Sequence, residues 1–255
     1  MSFRTALISV APPLKKAWCA HKERRLRVMR ATFVAQFGLV VRNGPFKGLR
    51  YIGESSGSAL LPKLLGSYEA ALHPVLNELM TNQYDNIIDI GCAEGYYAVG
   101  LAHRCPGTPV VAFDSNRAAQ EMCERLANLN GVSQQITVRG ACSPEALAEA
   151  IEDRSLIVCD CEGDEVRLLD PVLLPGLKRC DLLVELHPFI DSDIPNLIAE
   201  RFRETHSTGL IREDSRGLSL SELKAFKWFD RPLATYEERF GAEGLWAVLR
   251  SRSRN

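Results

Sequence analysis

From Asn86 onward the chain alternates short, almost wholly apolar runs with stretches of helical character. The runs are Ile87 to Ile90, Val110 to Phe113, Ile136 to Val138, Leu156 to Cys159 and Leu182 to Leu186. Helices are expected at Tyr96 to His103 and at Arg117 to Asn130. A strand that is apolar on both sides must be covered on both sides, and helices between such strands act as crossovers. The pattern therefore requires a parallel sheet with helices on each face, an α/β, doubly wound architecture. Late strands are expected around Leu210 to Arg212 and Trp246 to Leu249.

The segments before this alternation read differently. Lys15 to Arg30 carries seven Lys or Arg residues against the single acid Glu23 and is expected to form a basic helix, solvated or frayed. Its apolar set, Trp18, Leu26, Val28 and Met29, makes no clean face for a membrane. Thr32 to Ile52 is rich in strand-forming residues broken by Asn43-Gly44-Pro45, the signature of a small hairpin. Gly66 to Met80 places Leu72, Val75, Leu76 and Leu79 on one helical face, with Ser67 as a cap and Pro74 as a kink. These features divide the chain into an N-terminal helix and hairpin extension, residues 1–65, and a main domain, residues 66–255.

Composition removes several classes of function. With 255 residues, 46% of them hydrophobic, the chain can build one large core. A net charge of -1 offers no global attraction to nucleic acid. The apolar runs are strand length, well short of the ~20 residues that span a bilayer, so a soluble protein is expected. Eight scattered cysteines, with no CxxC repeat and no secretory signal, read as reduced thiols in a cytoplasmic protein.

The stretch NIIDIGCAEGYYAVGLA, residues 86–102, joins the first strand to a helix through a turn bracketed by Gly91 and Gly95. Glycines here let the backbone turn tightly and approach a ligand. A dinucleotide fingerprint begun at Gly91 would need glycines at Ala93 and Tyr96, and a phosphate loop would need Gly-Lys-Ser/Thr where Gly95-Tyr96-Tyr97 stands. NAD, ATP and GTP are thereby disfavoured. The Asp89-x-Gly91-x-x-x-Gly95 pattern instead resembles the first motif of class I S-adenosylmethionine-dependent methyltransferases, whose sheet is Rossmann-like. The resemblance implies that Asp89 faces the cationic amino-acid end of S-adenosylmethionine, directly or through water, and that Gly91 and Gly95 leave room for its body. Asp114, ending the second strand, is placed to accept from the ribose hydroxyls, and Ala141 and Cys142 fall where adenine is contacted. The competing reading is a tight turn in which Asp89 caps the next helix.

Asp160-x-Glu162-Gly163-x-Glu165, followed about twenty residues later by Glu185-x-His187, resembles the FkbM-type methyltransferase pattern, as do Tyr96-Tyr97 and Gly66-Ser67-Tyr68-Glu69. The resemblance spans roughly Gly44 to Arg250. It departs from the family at Cys92-Ala93, where many members have Ala-Asn, and at Asp114, where they often have Glu. It implies methyl transfer from S-adenosylmethionine, most often to a hydroxyl of a small molecule or glycan. His187 and Asp160 are then candidate bases, with Glu162 and Glu185 orienting the base or capping amides, and Asp160, Tyr68 and Glu69 also bordering the cofactor. Asp160, Glu162, Glu185 and His187 could also hold a divalent ion, but no tight ligand spacing singles out a metal site and none is expected. A rival function is a non-catalytic cofactor-binding or scaffolding protein that uses the basic helix as its contact surface.

Overall fold

The computed structural model describes residues 12–212, 220–237 and 244–254, with the side chains of 12–17 and 254 left aside. Three helices lead, α1 (Pro12–Phe37), α2 (Leu60–Leu65) and α3 (His73–Leu79). The alternation follows as β1 (Asn86–Ile90), α4 (Tyr96–Arg104), β2 (Val110–Phe113), α5 (Arg117–Leu129), β3 (Ile136–Arg139), α6 (Pro144–Ala150), β4 (Ser155–Cys159), α7 (Glu165–Leu168) and β5 (Asp181–Leu186). It ends with α8 (Ile194–Phe202), β6 (His206–Arg212), α9 (Arg231–Ala234) and β7 (Leu245–Ser251).

Among the described residues seven strands form one sheet in the order β3-β2-β1-β4-β5-β7-β6. The first five are parallel to one another, while β7 runs antiparallel to both β5 and β6. Period-two alternation sends Ile87, Leu156, Val158 and Leu183 into the core on one face. Ile88, Ile90, Ile157 and Val184 go into a second core on the other. Each fully buried aliphatic side chain contributes roughly 1.5–3 kcal/mol by leaving water, so the two-sided burial of the central strands holds the sheet in register. The fold is α/β, doubly wound and Rossmann-like, as the apolar runs require. The antiparallel entry of β7 is not encoded in any local pattern, because its alternation is equally compatible with either direction.

The leading segments depart from expectation. The basic helix continues through Thr32 to Phe37, where strand was expected. Met29, Phe33 and Phe37 recur at helical i, i+4 spacing, and Phe33 is fully buried against Phe226 and Phe37 with ring centroids 6.5 and 4.9 Å away. That stripe overrides the β propensity of the threonine and valine between. The helix is docked rather than frayed: Arg25 Nε donates to Asp230 at 2.9 Å, and the Lys22 ammonium lies over the Tyr236 ring at 4.4 Å. Trp18 and Val28 remain exposed.

The expected hairpin is a hairpin-like excursion closed by a single bridge, Val40 to Arg50, with Val41 N–H donating to Leu49 O at 2.9 Å. Its Phe46 is fully buried, edge-on to Tyr96 at 5.1 Å, and belongs to the same core as the main sheet. Pro74 does not kink a long helix. It lies in the first turn of α3, where its missing N–H costs nothing, after a 3₁₀ turn over Ala70–Leu72. Ser67 is not a helix cap; it is buried, and its hydroxyl donates to Pro62 O at 3.4 Å. Among the described residues no helix is long and apolar enough to cross a membrane, and all eight cysteines are free thiols.

Candidate functional site

The sheet winds outward in both directions from β1 and β4, so the carboxyl ends of these strands open a crevice at the topological switch point. There a cleft of ≈ 380 Å³ is lined by Gly91, Asp114, Ala141, Cys142, Asp160 and Tyr68, among others. This lies within the ~300–1,000 Å³ typical of small-molecule and cofactor pockets.

Gly91 adopts φ +84°, and a Cβ there would lie 1.7 Å from Asp160 O. Only glycine allows the β1 end to pass this close to the β4 end. Gly95 also has positive φ, +96°, but it does not border the cleft. A Cβ at Gly95 would meet Cys123 Sγ at 2.8 Å and Val99 Cγ2 at 3.0 Å. The second glycine of the motif therefore serves the turn and the packing of α4 on α5, instead of clearing space for a ligand.

Asp114 accepts the Ala93 N–H at 2.8 Å on one carboxylate oxygen and the Asn116 N–H at 2.7 Å on the other. It thus fastens the β1–α4 loop while half-exposed on the cleft wall. Asp89 lies beneath the loop, outside the cleft lining, and accepts the Ala98 amide in the first turn of α4. That is the helix-capping role the sequence left open, in place of direct contact. Its Oδ2 is buried without a hydrogen-bond partner.

Burial pushes the Asp89 carboxyl up to about 7; the Ala98 amide and Lys63 act against this, and Asp114 adds to it. Because the folded-state value lies above the ordinary ~3.9, the carboxyl is compatible with folding while protonated. Its stabilising contribution is lost as pH rises from about 4 through 7. Asp89→Asn should accordingly stabilise the protein by roughly 2–4 kcal/mol at pH 8, with a gain that shrinks steadily toward pH 4. Urea unfolding of both proteins across that range measures it, and a pH-independent difference would contradict the assignment.

Tyr68 and Glu69 were expected on a helix; they sit ahead of the 3₁₀ turn, with Glu69 in the left-handed region at φ +48°. Tyr68 reaches the cleft, edge-on to Tyr96 at 5.2 Å. Glu69 does not. It is buried, takes the Tyr97 hydroxyl on its carboxylate and donates its N–H to Glu237 at 2.8 Å.

The acids at the ends of β4 and β5 do gather. His187, 3% exposed, donates its backbone N–H to Glu165 Oε1 at 3.1 Å, and its ring Nδ1 pairs with the same oxygen at 3.1 Å. Its Nε2 looks toward Asp160 Oδ1 and Glu162 Oε2, each 3.6 Å away. Asp160 also meets the Glu185 carboxyl within hydrogen-bond contact. Burial and the neighbouring Glu185, Glu69 and Glu162 hold the Asp160 carboxyl well above its ordinary range. Burial lowers the imidazole of His187, but its bond to Glu165 and the surrounding acids outweigh this and raise it. Burial raises Glu165, yet the His187 contacts bring it below the usual glutamate value. Glu162 stands at the rim, exposed, with φ +53°.

Glu165, read in the sequence motif without a role of its own, is fully buried and fixes the His187 ring. A second element went unread in the sequence. Lys63 and Glu94 form a buried ion pair, with Glu94 also accepting Tyr51 Oη at 2.6 Å, Ser55 Oγ at 2.8 Å and Ser56 N–H at 3.0 Å. Lys63 lines the cleft. The available signal was a lone lysine inside the apolar run Leu60 to Leu65 and a glutamate inside the glycine-bracketed loop. A charge among such neighbours demands a partner.

The family described as Methyltransferase small domain matches residues 70–154. No curated protein matches the chain in sequence. Among solved structures, the human methyltransferase 10 domain containing protein superposes with a TM-score of 0.50 at 14% identity, covering 90% of this chain and 97% of that one. The O-methyltransferase TomG from Streptomyces achromogenes, involved in tomaymycin synthesis and solved with S-adenosylmethionine, gives 0.44 at 16% identity, covering 72% and 80%. An O-methyltransferase from Bacillus cereus, solved with S-adenosylhomocysteine, gives 0.42 at 15%, covering 71% and 80%.

Proposed function

The fold is that of the class I methyltransferases, and we propose that the chain is an S-adenosylmethionine-dependent enzyme of FkbM type that methylates a hydroxyl of a small molecule or glycan in the cytoplasm. The observation that carries this reading is the juxtaposition at the switch point. A glycine-walled cleft with Asp114 at one end is flanked by the Asp160, Glu185 and His187 cluster at the ends of the next two strands.

The residues present fit the cofactor. Gly91 brings bare backbone to the cleft wall where a Cβ would have no room, and Asp114 presents a half-exposed carboxylate on the same wall. Asp114 would hold the ribose hydroxyls, Ala141 and Cys142 would flank adenine, and Tyr68 would close one side. When bound, S-adenosylmethionine provides a methyl group activated by its sulfonium. The chain's own part is to align the acceptor oxygen behind that methyl and to take charge of the hydroxyl proton at the acid and histidine cluster. Glu165 keeps the imidazole oriented for this task.

Asp114→Ala should weaken S-adenosylmethionine binding by about 1–3 kcal/mol, the worth of charge-assisted hydrogen bonds to the ribose, as read by calorimetry. Unchanged affinity would remove Asp114 from the site. The function itself is tested by incubating purified protein with methyl-labelled S-adenosylmethionine and a cell extract. A labelled small molecule or glycan is expected, identified by mass spectrometry. Cofactor binding with no labelled acceptor would favour a non-catalytic binding or scaffolding protein.

A further inference from the structure

We propose that Asp160, Glu185 and His187 form a binding site for one divalent cation of the Mg²⁺ or Mn²⁺ class, set where the acceptor hydroxyl must lie. The sequence, with no ligand spacing to single one out, led to the expectation of no metal; the fold brings the residues together from the ends of β4 and β5. One ligand atom from each of the three lies within 4.8 Å of the other two.

Independent observations point to a cation there. His187 has a side chain only 4% exposed, yet its Nε2 has its nearest acidic oxygens at 3.6 Å, beyond hydrogen bonding. Asp160 Oδ1 is buried with no hydrogen-bond partner at all. Asp160 and Glu185 each bring a carboxyl oxygen into the same cluster, no more than 4.8 Å apart, a spacing that a cation between them would bridge. The Glu165 carboxylate on Nδ1 assigns that nitrogen the ring proton and turns the Nε2 lone pair into the cluster. Such a carboxylate behind a histidine is the common second layer of metal sites. Two hard oxygens and one imidazole suit Mg²⁺ or Mn²⁺ and leave coordination positions for water and acceptor.

The purpose of the cation rests on the methyl-transfer reading. A cation at this point lowers the pKa of the acceptor hydroxyl. The O–H bond breaks, with its proton passing to water or to exposed Glu162, and an O–CH₃ bond forms as the S–CH₃ bond breaks. The S–CH₃ electron pair remains on sulfur.

Full-length protein, stripped with chelator and dialysed, should be titrated with Mn²⁺ alone while free Mn²⁺ is read by electron paramagnetic resonance. One bound Mn²⁺ per chain is expected, with affinity lowered at least ~10-fold in Asp160→Asn and roughly 10- to 100-fold in Glu165→Gln. Thermal melts report whether each variant is folded. Wild-type protein that binds no stoichiometric Mn²⁺ overturns the cation site, and so does undiminished binding in both folded variants. S-Adenosylmethionine titration and methyl-transfer assays fail independently. Methyl transfer without Mn²⁺ binding removes the cation and keeps the enzyme; Mn²⁺ binding with no methyl transfer supports the site and removes the enzymatic reading.

Discussion

Glu94→Gln should cost about 3–5 kcal/mol of folding stability, because it leaves the Lys63 ammonium buried without a counter-charge. Lys63 is 2% exposed and Glu94 fully buried, so water cannot take over solvation of the lysine. The substitution keeps the shape of the side chain and an oxygen for Tyr51 and Ser55; what is lost is the charge and the second oxygen, which accepts the Ser56 N–H. Adding Lys63→Met should recover more than half of the loss, since an uncharged side chain of similar length in place of the lysine removes the stranded ion. The pH dependence has a definite sign. Burial raises the Glu94 carboxyl, but Lys63, Tyr51 and the Ser56 amide bring it below its ordinary value. Its stabilising contribution is therefore present above the unfolded glutamate value, ~4.3, and is lost as pH falls through the folded one. The single variant should lack that acid limb. Urea unfolding of the wild type and of both variants, from pH 7 down to about pH 2, decides it. A loss under 1 kcal/mol in Glu94→Gln would mean that the pair is hydrated.

His187→Ala should lower the methyl-transfer rate by roughly 10²- to 10⁴-fold, with S-adenosylmethionine affinity little changed. The separation follows from placement: His187 belongs to the acid cluster at the ends of β4 and β5 and does not line the cleft wall that carries Gly91 and Asp114. Cofactor affinity also controls for folding, since truncation leaves Glu165 buried without its ring partner. Glu165→Gln, which keeps a hydrogen bond to the ring, should give a smaller loss. Labelled-methyl kinetics on the identified acceptor measure both. Full activity in His187→Ala would leave alignment of an already acidic acceptor as the mechanism.

Local pattern carried the central sheet because its strands are buried on both faces and so announce themselves as continuous apolar runs. All five early strands fall within two residues of the sequence reading. The same physics made the extension misleading. Thr32 to Phe37 has strand-like residues, but a few buried aromatics at i, i+4 spacing decide its conformation, and their partner Phe226 is nearly two hundred positions away. At the site, residues fixed by chain position were legible: Gly91, Asp114 and Asp160 stand at strand ends, which the topology turns toward the crevice. Those fixed by tertiary contact were not. Gly95 owes its lack of a side chain to Cys123 on α5, and Glu165 acquires its role only when β5 brings His187 beside it. The motif spacing is the same whether its second glycine faces a ligand or a helix.

The central claim is that the cleft at the β1 and β4 ends takes S-adenosylmethionine, and calorimetric titration of the purified protein with S-adenosylmethionine and, separately, with NAD tests it most directly. The expected result is saturable binding of one S-adenosylmethionine per chain, weakened in Asp114→Ala, with no heat from NAD. Binding of NAD in the absence of any binding of S-adenosylmethionine would contradict the account.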